Sequence, residues 1–218
     1  GSGLSSLVAL RLGAKVLAID SDAYSIISTT NLLKKFSPNK NYKIEQKSIL
    51  DDEFLRKVRK FDVVYSWGVL HHTGEMWQAL ENCSLKVKKK GKLVLAIYND
   101  QGGASKRWHL IKKIYVSSPK IVKFFLVAFF FLYFEIRSFL IKLLRFQNPF
   151  PFNDWKNKKK NRGMSVIHDL IDWIGGYPFE YSKPEKIFIF LKKKGFMLDN
   201  LKTNAGGHGC NEYVFTKN

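Results

Sequence analysis

FDVVYSWGVLHHTGEMWQALEN, residues 61–82, carries the pattern on which the fold prediction depends. Its first seven residues are mostly β-branched or aromatic, which predicts a buried strand. A polar and aromatic turn, SWGVLHH (66–72), follows, and helical spacing of apolar residues then covers 75–89. A strand that enters a helix through such a turn is the repeating unit of a doubly wound α/β sheet.

The same alternation continues on both sides of this stretch. The remaining predicted elements are helices over 4–12, 22–36 and 184–195, and strands over 15–20, 43–49, 92–98, 196–204 and 211–217. Short apolar strands between amphipathic helices are typical of parallel sheets that are covered on both faces. The sequence therefore predicts an α/β fold with a doubly wound, mostly parallel, Rossmann-like sheet.

Between residues 99 and 183 the alternation stops. This interruption divides the chain into a core (1–98), a helical cap insertion (99–183) and a closing helix with two strands (184–218). Ligands of open α/β sheets bind at the carboxyl ends of the strands, and an insertion after a strand begins at that edge. We therefore expect the insertion to cover the active site and to select the substrate.

Composition limits the classes of protein that are compatible with the chain. With 218 residues, 45% of them hydrophobic, it can bury the core of one domain, so disorder is not expected. The net charge of +19 attracts nucleic acid, acidic lipid or anionic substrates, although lysines scattered through the whole chain also fit a compositional bias. Cys83 and Cys210 lie far apart without metal or disulfide spacing, which favours a reducing, cytoplasmic compartment.

A glycine loop opens the sequence. GSGLSS (1–6) precedes a predicted helix, and Gly1 and Gly3 would let backbone amides approach a ligand closely. Asp20 ends the next strand, KVLAID (15–20), where a carboxylate binds ribose hydroxyls. Enzymes that use nicotinamide dinucleotides share this arrangement, so the motif alone leaves the cofactor open.

From residue 1 to about 98 the sequence closely resembles the class I S-adenosylmethionine-dependent methyltransferases. The resemblance rests on the SWGVLHH turn and on KKKGKLVLAIYN (88–99), a glycine turn that leads into a strand. More narrowly, SWGVLHHTGEMWQALEN, AIYNDQG, RGMSVIHDLIDWIGGYPFE and GGHGCNE look like a bacterial subfamily distantly similar to the quinone-biosynthesis O-methyltransferases. The family's first strand is absent, so we expect an N-terminally truncated chain whose cap follows the family's fifth strand.

The resemblance implies S-adenosylmethionine as the cofactor and assigns roles at the carboxyl ends of the strands. Gly1 and Gly3 would line its methionine end, and Asp20 would hold its ribose hydroxyls. Ser48, where many members have Asp, and Ile49 would contact adenine. The wall near the transferred methyl group would consist of Ser66, Trp67 and Gly68.

Histidines and acids supply the candidate catalytic residues. His72, and less so His71, is either a general base at the sheet edge or a residue that caps and packs the following helix. In the cap, His168 and Asp172 are four residues apart on one helix face, as a poised base or as a surface pair. Neither cluster has a third ligand in register, so no metal site is expected.

Three further stretches of the insertion and closing part belong to the same region in this interpretation. They are Arg162 to Met164, Asp169 with Trp173 and GGYPFE (175–180), and GGHGCNE (206–212). In the last of these, His208, Asn211 and Glu212 either reach the active-site mouth or belong to an ordinary hairpin connection.

An apolar segment covers residues 120–146. Its 11-residue run without charge, FFLVAFFFLYF (124–134), is shorter than the approximately 20 residues that a membrane span needs. It could form the core of the cap, lie in a membrane interface or pair with another subunit. Flanking lysines and a polar loop, KNKKKNR (156–162), favour an anionic membrane surface, which places the protein at the inner face of the membrane.

The function expected from these patterns is methyl transfer to a small or amphipathic acceptor, lipid-like or quinone-like. One alternative is a nicotinamide-dependent oxidoreductase, although Tyr24 and Tyr115 lack a lysine four residues later. Another is an RNA methyltransferase, which the charge favours, although SWGV (66–69) stands where many base-methylating enzymes have a proline–aromatic tetrapeptide. A non-enzymatic membrane module would not need the SWGVLHH turn. Nucleic acid is therefore not the expected partner.

Overall fold

The computed structural model describes residues 1–37, 41–163, 165–204 and 209–218, without the side chains of 161 and 162. Its strands are β1 (Val16–Asp20), β2 (Tyr42–Gln46), β3 (Phe61–Trp67), β4 (Val87–Tyr98), β5 (Phe196–Lys202) and β6 (Cys210–Lys217). Its helices are α1 (Leu4–Arg11), α2 (Ala23–Phe36), α3 (Asp52–Lys57), α4 (Met76–Leu85), α5 (Gly103–Ser117), α6 (Lys120–Leu144), α7 (Phe152–Arg162), α8 (Val166–Gly175) and α9 (Pro184–Lys193). This alternation confirms the predicted α/β class.

The strands form two sheets, and the larger one is mixed where the sequence predicts mostly parallel strands. β1 and β2 form a parallel pair, and the second sheet has the order β3-β4-β6-β5. β3 and β4 are parallel, but β6 is antiparallel to both β4 and β5. The chain reverses between β5 and β6, so those two strands pair as a hairpin, and β6 then lies antiparallel to β4. In the described part of the chain each sheet has two edge strands, which are β1 and β2 in one and β3 and β5 in the other.

β4 is the centre of the main core. Leu93, Leu95 and Ile97 are completely buried on this strand, and they pack with Leu80 of α4 and Leu191 of α9. The expectation that 61–67 form a buried strand was only partly correct. Val63, Tyr65 and Trp67 of β3 are 56%, 50% and 44% exposed. As β3 is an edge strand, the face that carries these three side chains lacks full cover.

One boundary and one additional helix also differ from the predictions. The predicted helix over 75–89 ends at Leu85, and β4 begins at Val87, because Val87 is buried opposite Phe61 of β3. A helix over Asp52–Lys57 was not predicted. The Asp51 carboxylate accepts a hydrogen bond from the Phe54 amide and caps its first turn.

The insertion between β4 and α9 contains α5 to α8. Its two ends lie side by side at the carboxyl end of β4. Asn99 and Ser182 form a parallel bridge, and the Ser182 amide donates to the Tyr98 carbonyl at the carboxyl end of β4. Its aromatic core contains Trp108 of α5, Leu170 and Ile174 of α8, and Phe179. β4 is the fourth described strand, and it is the fifth only when the family's first strand is counted.

Two expectations for the insertion were wrong. The apolar segment forms α6, a helix of 25 residues, so the 11-residue run underestimates its length. By length and composition alone, α6 could cross a membrane. Residues 156–162, expected as a polar loop, belong to α7. Lysine and asparagine runs carry no apolar periodicity, so the pattern gave no signal for this helix.

Candidate active site

The glycine loop is held against α2. Gly3 has a φ of 81°, and a Cβ atom at this position would lie 2.8 Å from Cγ2 of Thr29, so the site requires glycine. The Thr29 hydroxyl donates to the Gly1 carbonyl over 3.0 Å. Among the residues that the structure describes, no side chain caps the amino end of α1, which leaves its first backbone amides available for an anionic group.

Asp20 ends β1 beside this loop. One carboxylate oxygen accepts a hydrogen bond from the Asp22 amide at 3.0 Å. The side chain is about a quarter exposed, at 27%. A partly open carboxylate next to a glycine turn fits the two ribose hydroxyls of an adenosine cofactor.

Residues after β2 and β3 complete the predicted cofactor region. The Ser48 hydroxyl accepts from the Leu50 amide, and the Ile49 carbonyl accepts from the Asn82 side chain of α4 at 2.8 Å. The Ser48 hydroxyl and the Ile49 carbonyl are therefore both engaged in holding the loop. From the sequence, adenine contacts are expected at Ser48 and Ile49. For such contacts the loop still offers other backbone groups and the Ile49 side chain.

The turn after β3 is open on one side. Ser66 is buried, whereas Trp67 is 44% exposed and stacks on Tyr65 with ring centroids 5.9 Å apart. Gly68 has a φ of 74°, and a Cβ there would meet no atom within 4 Å. Its need for glycine is therefore conformational, and the space beside the turn is free for a ligand.

A pocket of about 520 Å³ lies between this edge of the sheet and the insertion. It is mostly aromatic, with two carboxylates and one histidine. Its lining consists of His72, Tyr98, Trp108, Phe134, Asp169, Asp172, Trp173, Gly175, Gly176 and Tyr177. The composition suits an organic molecule with one group that needs a polar partner.

His72 is oriented by a backbone carbonyl. Its Nδ1 lies 2.7 Å from the Pro178 oxygen, which can only accept, so Nδ1 carries the proton and Nε2 of the neutral ring is free to accept one. Burial lowers the pKa of His72, and the nearby Lys112 ammonium lowers it further. At neutral pH the ring is therefore mainly in the basic form.

His71 has a different environment. It is 1% exposed, and its Nδ1 accepts a hydrogen bond from the Tyr98 amide at 3.2 Å. Burial lowers the pKa of His71 to about 3, so the ring is neutral and protonated on Nε2. Among the described residues this Nε2 has no hydrogen-bond partner. His71 therefore positions the end of β4, and His72 is the histidine that faces the pocket.

Lys112 of α5 is completely buried, and its ammonium group lies beside this pocket. Nζ donates to the Trp173 carbonyl and lies 4.0 Å from the Trp173 ring centroid and 4.8 Å from that of Phe179. These aromatic faces stabilise a cation that has left water. Burial nevertheless lowers the pKa of Lys112 to about 8.

The two acids of α8 that line the pocket differ. Asp169 is buried and pairs with Lys158 of α7 at 2.6 Å, so it joins two cap helices. Asp172 is exposed to the pocket and interacts electrostatically with both His72 and Lys112. Asp172 and His72 therefore line the same pocket.

His168 does not line this pocket. Its ring is exposed, and its Nδ1 lies 2.8 Å from the Ser165 hydroxyl that caps α8. The helical spacing placed His168 on the same side of α8 as Asp172. His168 is one turn nearer the amino end, however, and pairs there with Ser165, the N-terminal capping residue of α8.

Residues 177–180 fasten the insertion to the sheet edge. The Glu180 amide donates to the His71 carbonyl, and the Glu180 carboxylate accepts from the Met76 amide at the start of α4. Burial raises the pKa of Glu180. Gly176 lets the insertion approach closely, since a Cβ there would lie 3.2 Å from Cε1 of His72.

Sequence reasoning missed Lys112 and Phe134 as parts of this region. α5 contains three lysines, Lys106, Lys112 and Lys113. Nothing in the sequence distinguishes them, and only the packing shows that Lys112 is the buried one. Met164 and His208 lie outside the described residues, as does the side chain of Arg162. Within the described ranges, no three His, Cys, Asp or Glu side chains are arranged to hold a metal ion.

Comparisons with known proteins agree with this geometry. Residues 1–93 match the family described as a methyltransferase domain. This match favours methyl transfer over the nicotinamide alternative, with which the glycine loop is shared. No curated protein matches the sequence.

Solved structures share the fold at low sequence identity. An O-methyltransferase family protein from Burkholderia thailandensis aligns over the whole chain with a TM-score of 0.57 and 11% identity. The magnesium protoporphyrin IX methyltransferase of Synechocystis PCC 6803, with bound S-adenosylhomocysteine, aligns with a TM-score of 0.57 and 13% identity over 71% of its own length. The N-methyltransferase NodS of Bradyrhizobium japonicum aligns over 99% of this chain and 73% of its own, with a TM-score of 0.53 and 12% identity. This chain spans 48% of the Burkholderia protein.

Proposed function

We propose that this chain is a class I S-adenosylmethionine-dependent methyltransferase and that it methylates a small or amphipathic acceptor, which binds in the pocket beneath the insertion. The observation that carries the proposal is His72, which lines a pocket that adjoins the turn after β3 and whose Nδ1 is bound by the Pro178 carbonyl. Class I enzymes bind their cofactor at this edge of the sheet, so an acceptor in the pocket would lie next to it.

The glycine loop and Asp20 fit the cofactor. The uncapped amino end of α1 would take the carboxylate of its methionine part, and Asp20 would take its ribose hydroxyls. When bound, S-adenosylmethionine supplies a methyl group on a positively charged sulfur, which a nucleophile can displace. Ser66, Trp67 and Gly68 remain our candidates for the wall beside that methyl group.

His72 would act on the acceptor. Hydrogen bonding to the Pro178 carbonyl holds the ring with Nε2 free, and Nε2 would accept the proton of an attacking hydroxyl or amine. Asp172 would stabilise the imidazolium that forms, because its carboxylate lies near the ring. The protein otherwise aligns the reactants and excludes water. His168 has no role in this proposal, because its side chain pairs with Ser165.

The lining of the pocket indicates the class of acceptor. Tyr98, Trp108, Phe134, Trp173 and Tyr177 supply aromatic surface, which favours a flat or apolar body, such as a quinone precursor or the head of a lipid. The polar group of that body would lie at His72. A nucleic acid is disfavoured here because the pocket contains two carboxylates, Asp169 and Asp172.

The cofactor assignment is tested by calorimetry. Asp20→Ala should weaken binding of S-adenosylmethionine about 10- to 100-fold, because it removes charge-assisted hydrogen bonds worth roughly 1.5–3 kcal/mol each. Asp62→Ala is the matched control, since Asp62 pairs with Lys88 near the amino end of β3. Equal affinity in wild type and Asp20→Ala, or tighter binding of a nicotinamide dinucleotide, would overturn the assignment.

The role of His72 is tested separately, by transfer of labelled methyl groups into extracts that contain small molecules and lipids. His72→Gln should abolish transfer while the affinity for S-adenosylmethionine stays unchanged. His168→Gln is the comparison on the cap, where the ring lies outside the pocket. Full transfer by His72→Gln would remove His72 from the reaction but leave the cofactor assignment intact.

A further inference from the structure

α6 has two faces of different character. Val127, Phe130, Phe131 and Phe134 are partly buried against the aromatic core of the insertion. Glu135 on the same side accepts a hydrogen bond from the Trp155 indole of α7 at 3.1 Å. This side of the helix is therefore fixed to the protein.

The opposite face consists of apolar side chains in solvent. Phe125, Phe129, Leu132, Ile136, Leu140 and Leu143 are between 51% and 64% exposed. Their spacing of three and four residues places them on one stripe along the helix. A surface helix of a globular protein normally carries polar residues on this side. None of the six is polar, so the pattern is the reverse of the expected one.

The size of this face is that of the largest apolar patch on a typical monomer. A helix of 25 residues is about 37 Å long and roughly 10 Å wide, so the stripe covers on the order of 350 Å². Patches of this size on monomers are often functional. A shallow apolar groove runs along the stripe, lined by residues that include Phe129, Leu132, Ile136 and Leu144. The apolar surface continues beyond the helix, where Phe146 is fully exposed.

Positive charge surrounds the apolar face. Lys120 and Arg145 flank its two ends and are exposed, and Arg137 lies at the rim of the groove. α7 is attached beside α6 through the pair Lys142–Asp154 and through Trp155. Its Lys156, Lys159 and Lys160 are also exposed. A membrane with acidic headgroups is complementary to an apolar stripe between cationic groups.

We propose that α6 and α7 form a docking surface for an anionic membrane, with α6 lying in the plane of the interface. The exposed stripe would enter the acyl boundary, and the lysines of α7 would bind headgroups. This inference is independent of the methyl-transfer chemistry, because it concerns the face of α6 that points away from the pocket.

The packing of α6 excludes a simple span, although its length would allow one. In a spanning orientation the Trp108 and Trp173 cluster, which packs along α6, would have to enter the bilayer with it. Lys142, which pairs with Asp154, and Glu135, which accepts from Trp155, would enter as well, and charged groups are costly there. An in-plane helix keeps all of these contacts.

Sedimentation with vesicles tests the proposal on the full chain. Binding should appear with phosphatidylcholine vesicles that contain phosphatidylglycerol, and it should fall with added salt. The triple variant Phe129→Ser/Leu132→Ser/Ile136→Ser should lower the partition coefficient at least about tenfold. Its control is Leu85→Ser/Ile189→Ser/Met197→Ser, which changes side chains of similar exposure away from α6. Circular dichroism would verify that each variant is folded.

A second pair of variants tests the charge. Lys156→Glu/Lys159→Glu/Lys160→Glu should reduce binding to anionic vesicles about tenfold or more. Lys60→Glu/Lys89→Glu/Lys193→Glu makes the same change in net charge at exposed lysines elsewhere and should have a smaller effect. Equal losses in both variants would mean that overall charge, and not this surface, attracts the vesicles.

Three results would overturn the proposal. Absence of binding to anionic vesicles at low salt would mean that lipid does not cover the stripe. A dimer in sedimentation velocity that the serine triple variant dissociates would assign the stripe to a second copy of the chain. Retention in the membrane after alkaline carbonate extraction would show that α6 spans the bilayer.

Discussion

Replacement of Lys112 by methionine should raise the pKa of His72. The buried Lys112 ammonium disfavours a second positive charge on the neighbouring imidazole, and it adds to the effect of burial. Methionine has a similar length and no charge, so it fills the space between the rings of Trp173 and Phe179. The burial of His72 is retained in this variant, and the repulsion is lost.

The magnitude follows from the distance between the two groups. A Cβ on Gly176 would lie 3.2 Å from Cε1 of His72 and 3.5 Å from Nζ of Lys112, so these two atoms are at most about 6.7 Å apart, the sum of the two distances. Two unit charges at this separation repel by about 0.6 kcal/mol in bulk water and about 2.5 kcal/mol at an effective dielectric constant of 20. The protonation equilibrium of His72 should therefore change by between about 3-fold and 70-fold.

Titration of the histidine Cε1 protons by NMR measures this change without any acceptor. His72→Gln identifies the resonance, and nitrogen shifts report whether Nδ1 carries the proton, as the Pro178 contact requires. Lys113→Met is the control, since it removes an exposed charge from the next residue of α5 and should leave the titration of His72 unchanged. A His72 midpoint that stays constant or falls in folded Lys112→Met would refute the electrostatic argument.

Two further predictions concern the same region. Gly176→Ala should lower methyl transfer at least about tenfold with cofactor affinity unchanged, because its Cβ would press on His72. The control Gly175→Ala, whose Cβ would lie 3.5 Å from Tyr115, should have little effect. Equal losses of methyl transfer in both variants would point to unfolding. Between pH 8 and 10.5 the unfolded chain binds a proton at Lys112 that the folded chain does not, so wild type should gain about 3 kcal/mol of unfolding free energy over this range relative to Lys112→Met. Urea denaturation at both pH values measures that gain, and parallel stability curves would contradict the lowered pKa of Lys112.

Local sequence was sufficient for the parts of the site that follow strands. The positions of Asp20 and His72 could be predicted because each stands at or just after the end of a clear apolar strand, where the fold class places ligand-binding residues. Gly3 was found because a glycine just before a helix favours a turn in which backbone amides can approach a ligand. In each case one short pattern determines both the element and the position of the residue.

Other features depend on contacts that no local pattern encodes. The period of two is the same in parallel and antiparallel strands, so the antiparallel pairing of β6 with β4 could not be read from its residues. Lys112 looks like a surface lysine until α8 supplies the Trp173 carbonyl that it binds. His168 and Asp172 share a helix face, but the hydroxyl of Ser165 holds only the former. The exposure of β3 arises because it lies at the edge of its sheet.

The two proposals meet at α6, because this one helix contributes to both surfaces. Phe134 lines the pocket and stacks on Trp108 with ring centroids 6.3 Å apart, and Phe129, Leu132 and Ile136 are exposed on the other side. If the exposed stripe lies in a membrane interface, the pocket is about one helix diameter, 10–12 Å, from the acyl chains. An amphipathic acceptor could then reach His72 without passing through water, a step that would cost about 25 cal/mol per Å² of exposed apolar surface. An aromatic pocket behind a membrane-facing helix is therefore better suited to a lipid-soluble acceptor than to a free polar metabolite.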